Sequence, residues 1–185
     1  ILWVSIALGL IGFFLYRNLS FFIPFFDIDE NIALISDGYL KAMSYGFIAN
    51  MVFTCLRCYS EGMGLTLPVF WVAFIGMLLN IPLDIIFVYG YFGIPPMGGI
   101  GCGIATSINI VIGVIVLVLV ILKKKEYTPT KIFSSFSPPN SETTKEALKL
   151  GMPIGFGVFV ELSMFSGAAL ILGSLGSTVI SGHTV

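Results

Sequence analysis

The sequence predicts an all-α polytopic membrane protein, and three observations carry that prediction. Of 185 residues, 57% are hydrophobic and only 10% charged, against about 25% charged in ordinary soluble domains. Mean hydropathy is +1.01. The apolar residues run on in stretches of about twenty, the length a helix needs to cross a hydrocarbon core, whereas membrane β-strands alternate over about ten. The same composition excludes a disordered tail, a disulfide scaffold and a nucleic-acid binder, which needs a basic face.

Five spans follow in order. The first runs from Ile1 to about Phe22, with Arg17 near one end. The second, about Ile32 to Leu56, is less apolar and holds Asp37 and Lys41 four apart, a pairing that meets on a helix surface. The third, about Leu67 to Tyr91, contains Asn80, Pro82 and Asp84; the fourth, about Gly99 to Leu122, is uncharged. A fifth, from about Thr143 to Leu172, carries Glu161, and Thr143-Thr144-Lys145-Glu146 fits a capping box at its start. The last ten or so residues read as the opening of a sixth. Because the chain opens on Ile1-Leu2-Trp3 inside an apolar run and ends without a terminating signal, it is expected to be an internal piece of a longer protein.

Residues 123–143, KKKEYTPTKIFSSFSPPNSET, are polar and hold Pro129, Pro138 and Pro139, which marks a linker. Lys123, Lys124, Lys125, Lys131, Lys145 and Lys149 are six of the nine basic residues, and all lie in or beside it. The positive-inside rule places this linker in the cytoplasm. Counting backwards then puts the acidic segment with Asp27, Asp29, Glu30 and Asp37 outside, the loop with Arg57 and Glu61 inside, and the Tyr91–Gly98 turn outside.

Ionisable residues within a span are costly and mark function by default. Arg17 is near a span end and can snorkel to the headgroups, and Lys41 is interfacial beside Asp37. Asp84 lies deeper, four residues after Asn80 and so on the same helix face. Pro82 between them removes a backbone donor, tends to kink the helix and frees a carbonyl near Leu78. A carboxylate, an amide oxygen and a freed carbonyl are hard ligands suited to Na⁺ or a proton. The plainer alternative is a protonated Asp84 bonded to a neighbouring helix.

Depth brings in one more residue. At 1.5 Å per residue, Asp84 lies roughly 22 Å beyond Val69, and Thr106 roughly 9 Å from the opposite face at Ile100. The two sit near one level on adjacent antiparallel spans, so Thr106 is a further oxygen ligand unless it bonds its own helix. Glu161 lies roughly 18 Å beyond Lys149, above Pro153, with no salt-bridge partner on its own helix. It is a candidate for proton exchange, or else a buried structural carboxylate.

Other signals are weaker. Cys55 and Cys58 form C-x-x-C without a second pair or a nearby His to complete a metal site. Gly99/Gly103 and Gly151/Gly155 match G-x-x-x-G, which in a polytopic protein signals close helix packing. There is no Walker loop and no G-x-S-x-G, so neither a P-loop ATPase nor an elbow-type hydrolase is supported, and no enzyme is expected.

Ordered motifs carry a resemblance over essentially the whole chain. Leu56-Arg57 through Glu61-Gly62-Met63-Gly64 with Pro68, then Leu79-Asn80-Ile81-Pro82-Leu83-Asp84 and Phe87-Val88-Tyr89-Gly90, resemble the multidrug and toxic compound extrusion (MATE) family. Gly98-Gly99-Ile100-Gly101-Cys102-Gly103-Ile104-Ala105-Thr106 and Leu150-Gly151-Met152-Pro153-Ile154 with Glu161 continue it. The resemblance implies a twelve-helix, two-lobe transporter of which this chain supplies helices three to seven and the start of eight. Residues 1–122 would be the later four helices of the N-terminal lobe, 123–143 the cytoplasmic inter-lobe linker, and 144–185 the start of the C-terminal lobe.

Family membership further implies export of cationic amphipathic drugs or dyes in exchange for Na⁺ or H⁺, from a bacterial inner membrane, by a monomer without cofactors. Asn80, Asp84 and Thr106 match the family's N-lobe cation site, which an acidic residue of the first helix completes. Glu161 matches the acidic residue of the seventh helix in some bacterial members. Many of those members have Asn where this chain has Asp84, a departure that favours a cation site in this lobe and leaves open which lobe couples.

Two rival readings remain at this point. A lipid-linked-precursor flippase of similar architecture would carry more cavity-facing cations than Arg17 and Lys41. An intramembrane aspartyl protease pairing Asp84 with Glu161 would carry a G-x-G-D motif, which is missing.

Overall fold

A computed structural model describes residues 2–19, 21, 30–130 and 141–173, and the regular elements among them are all helical. In order these are α1 (Leu2–Asn18), α2 (Glu30–Gly62), α3 (Thr66–Tyr89), α4 (Gly99–Lys123), a short 3₁₀ helix (Lys125–Thr130) and α5 (Ser141–Gly173). Thr66–Tyr89, Gly99–Lys123 and Ser141–Gly167 are long and apolar enough to cross a membrane, and Leu2–Asn18 is a shorter apolar helix. The expected sixth span lies in residues 174–185, outside the described residues.

α2 departs most from expectation. It runs six residues past Leu56, and Arg57 and Glu61 stand on its last turns rather than in a loop. Their i,i+4 ion pair, Nε to Oε1 at 2.9 Å, favours continuing the helix. A second such pair, Lys41 to Asp37 at 2.7 Å, occupies the first half. These four charges keep a 33-residue helix below the apolarity of its neighbours.

α2 stops at a Schellman turn. Gly64 takes φ +75, its amide bonds Glu61 O, and Leu65 N bonds Ser60 O. Only Met63–Leu65 then separate α2 from α3. α3 runs unbroken through Pro82 and ends at Gly90 with φ +79, where Gly90 and Tyr91 amides both bond Ile86 O. The returning turn is tied to that end by Met97 N to Phe87 O and Gly98 N to Val88 O, each 3.2 Å.

The chain divides into two compact units, Ile1–Ser137 and Pro138–Val185. In the first, α4 packs on both α2 and α3, and α1 packs on α2. The α2–α4 contact is a seam of small residues, as the Gly99/Gly103 pattern predicts. A Cβ on Gly103 would meet Tyr39 O at 3.1 Å and Ala42 Cβ at 3.2 Å, and one on Gly46 would meet Ser107 Cα at 2.9 Å. The buried core gathers where α2 ends, α3 begins and α4 ends, around Leu56, Val69, Val72, Leu117 and Ile121.

Tyr127 of the 3₁₀ helix completes that core at 3% exposure, its ring 5.9 Å from Tyr59. The first part of the 123–143 stretch is therefore packed structure. Most other large apolar side chains of this unit, such as Phe70, Trp71 and Ile75, point outward, as lipid-facing residues do.

In the second unit, α5 begins at Ser141, two residues before the expected start, and continues through Pro153. Thr143 is thus inside the helix, and no capping box forms there; instead Glu142 places its charge in the first turn, at the positive end of the helix dipole. Side chains from Gly151 to Ser166 are exposed, and a Cβ on Gly151 or Gly155 would meet nothing within 4 Å among the described residues. Among the described residues, nothing packs against that glycine pair.

Candidate cation-binding site

Helices α3 and α4 bring the site together. Gly101 lies so close to the Phe87 carbonyl that no side chain fits between them, which fixes the level at which the two helices cross. Asp84 is one turn before Phe87 on α3, and Cys102 follows Gly101 on α4. The Cys102 thiol lies within interaction range of both the Asp84 carboxyl and the Thr106 hydroxyl. Cys102 thus links Asp84 of α3 with Thr106 of α4.

Asp84 is half-buried, but its Oδ1 is fully buried and has no hydrogen-bond partner among the described residues. A buried carboxylate oxygen left so is costly and calls for a cation or a proton. Asn80 stands half-buried one turn earlier on α3. The structure brings together a carboxylate and a hydroxyl through a thiol that was not among the expected ligands, while Asn80 is near Asp84 only by its place on α3. The thiol's signal was there: Cys102 and Thr106 are four apart and share one face of α4.

Glu161 is on α5 and its side chain is exposed. The burial that its reading as an interior carboxylate requires is not supplied by the described residues of the second unit, among which α5 is the one helix. Arg17 is held at the end of α1 by a 3.1 Å bond from Nη1 to the Tyr45 hydroxyl, with its guanidinium about 6 Å from the Phe13 and Tyr45 rings. Lys41 is occupied by Asp37. Both cations are thus engaged elsewhere than at Asp84.

A second polar feature was not anticipated. Between α2, α3 and α4 lies a cavity of about 170 Å³ bordered by Asn50, Gly76 and Asn109. Oδ1 of Asn109 is buried there without a hydrogen-bond partner among the described residues.

Comparison with known proteins decides the family. The MatE family model matches residues 1–86, which include Asn80 and Asp84. The multidrug resistance protein NorM of Vibrio cholerae serotype O1 is 40% identical over 166 residues, 90% of this chain and 36% of that protein. The chain belongs to the MatE family. A probable multidrug resistance protein NorM of Acinetobacter baylyi is 35% identical over 184 residues, 100% of this chain and 41% of its own length. NorM of Photobacterium profundum is 36% identical over 168 residues, 91% of this chain and 37% of its own length. The chain thus spans about two fifths of the MatE relatives it matches, and in both longer alignments the match extends past α3 to take in the α4 side of the site.

Proposed function

We propose that the chain is part of a secondary active exporter that moves cationic amphipathic compounds outward in exchange for Na⁺ or H⁺. The observation that carries this reading is the Asp84 carboxylate, whose buried Oδ1 lacks a partner among the described residues where two apolar helices cross. The relatives' names as multidrug resistance proteins support the choice of cargo.

In this mechanism the coupling cation binds Asp84, with Asn80 and Thr106 as further oxygen ligands. Binding or protonation shifts the balance between inward-facing and outward-facing forms, and drug binding from inside shifts it back. Such coupling requires each ligand to bind the two forms differently; tight binding alone moves nothing. Glu161 supplies a second carboxylate for proton exchange in the other lobe. The protein lies in the bacterial inner membrane as a monomer, with residues 123–143 as the cytoplasmic connection between the lobes.

Asp84→Asn in the complete transporter tests this. Ion-driven dye efflux from vesicles should lose its dependence on the imposed gradient, and Glu161→Gln should reduce it if both lobes contribute. Retained gradient dependence in Asp84→Asn rejects the role of Asp84.

A further inference from the structure

The cavity between α2, α3 and α4 has a composition that packing does not explain. Its walls include Asn50 and Phe53 of α2, Gly76 and Met77 of α3, and Asn109 and Gly113 of α4. Two amides in an otherwise apolar wall are unusual, because a buried amide oxygen without a donor is costly. That is the state of Asn109 Oδ1 among the described residues. At about 170 Å³ the cavity exceeds several-fold the roughly 10–15 Å³ that one water requires.

Its place along the helices matters as much as its lining. Gly76 is four residues before Asn80 on α3, and Asn109 is three residues after Thr106 on α4. On both helices the cavity is therefore about one turn, roughly 5 Å, from the candidate ligands Asn80 and Thr106, and about two turns from Asp84 itself. It lies on the side where α3 begins and α4 ends, next to the Leu117–Ile121 core and the start of the linker. Gly76 borders it, and a Cβ there would take up part of the space, standing in ordinary contact 3.8 Å from both Asn109 side-chain ends.

We propose that this cavity is a second, uncharged station for a hydrated monovalent cation, held by the Asn50 and Asn109 amide oxygens between Asp84 and the linker end of the helices. Neutral oxygens suit a way-station, since a transit site must bind strongly enough to fill and weakly enough to empty. With no charge of its own, it does not compete with the Asp84 carboxylate, about two turns away along α3. The proposal rests on the reading that Asp84 binds the coupling cation.

The test uses the complete transporter in vesicles, with dye efflux driven by a Na⁺ gradient in one arm and a pH gradient in the other. Asn109→Leu and Asn50→Leu should slow efflux about tenfold in whichever arm drives the native protein, which tells Na⁺ from hydronium. Half-saturating dye should stay within about twofold, and Asn109→Gln should retain most of the rate. Gly76→Ala, whose methyl makes only ordinary contact, should slow the same arm about threefold and serves should the leucine variants misfold. Native rates in Asn109→Leu or, in that event, in Gly76→Ala overturn the station, while loss of coupling in Asp84→Asn would leave the Asp84 reading intact. Retained coupling in Asp84→Asn overturns both.

Discussion

The Ser107 hydroxyl donates to the Ala42 carbonyl across 2.9 Å, joining α4 to α2 directly through the backbone of one and a two-atom side chain of the other. Gly46, one turn along α2, makes the approach possible, since a Cβ there would stand 2.6 Å from Ser107 Oγ and 2.9 Å from its Cα. The obstacle is partly backbone, so it cannot rotate away.

Gly46→Val is accordingly expected to destabilise the folded protein by about 3 kcal/mol, the upper range for overpacking. Ser107→Ala removes only the inter-helix bond and should cost about 0.6 kcal/mol, the average for such bonds in membranes. Denaturant titration in detergent separates the two. Equal effects would mean that the hydrogen bond, rather than the close approach, holds the seam.

Tyr127 anchors the start of the linker in the core beside Tyr59 and Ile121. Tyr127→Ala should cost about 3 kcal/mol, as for other large buried aromatics. It should also release Lys123 to Lys125, so that trypsin cuts there several-fold faster than in the native protein. Tyr127→Phe keeps the ring and should leave the cleavage rate near native.

Cys102→Ser exchanges a soft sulfur for a hard hydroxyl beside Asp84. For a Na⁺-coupled transporter the half-saturating Na⁺ concentration for dye efflux should fall by about threefold, because hard cations prefer oxygen. Cys102→Ala should move it the other way. An identical Na⁺ dependence in both variants would place the thiol outside the ion's coordination sphere.

Much of the fold was legible because lipid makes a helix write itself as an apolar run. α3 and α4 fall within two residues of the spans read from Leu67–Tyr91 and Gly99–Leu122. The end of α2 was misread because Arg57 and Glu61 look like loop charges, when their four-residue spacing makes them helix-stabilising. Helical rise alone put Asp84 and Thr106 at similar levels on adjacent helices, and Cys102 interacts with both. Cys102 itself was not legible, since a thiol in an apolar run reads as core. Nor was the cavity that Asn50 and Asn109 both line, since the two come from helices far apart in sequence.

That seam has a mechanical consequence. Where side chains interdigitate, a change of rotamer lets one helix slip against another; between Gly103, Ser107, Ala42 and Gly46 there is almost nothing to re-rotate. α2 and α4 are in effect a single strut. Strain that enters this stretch from either helix has no joint in which to dissipate before it reaches Cys102 and Thr106, which lie within the same turns of α4.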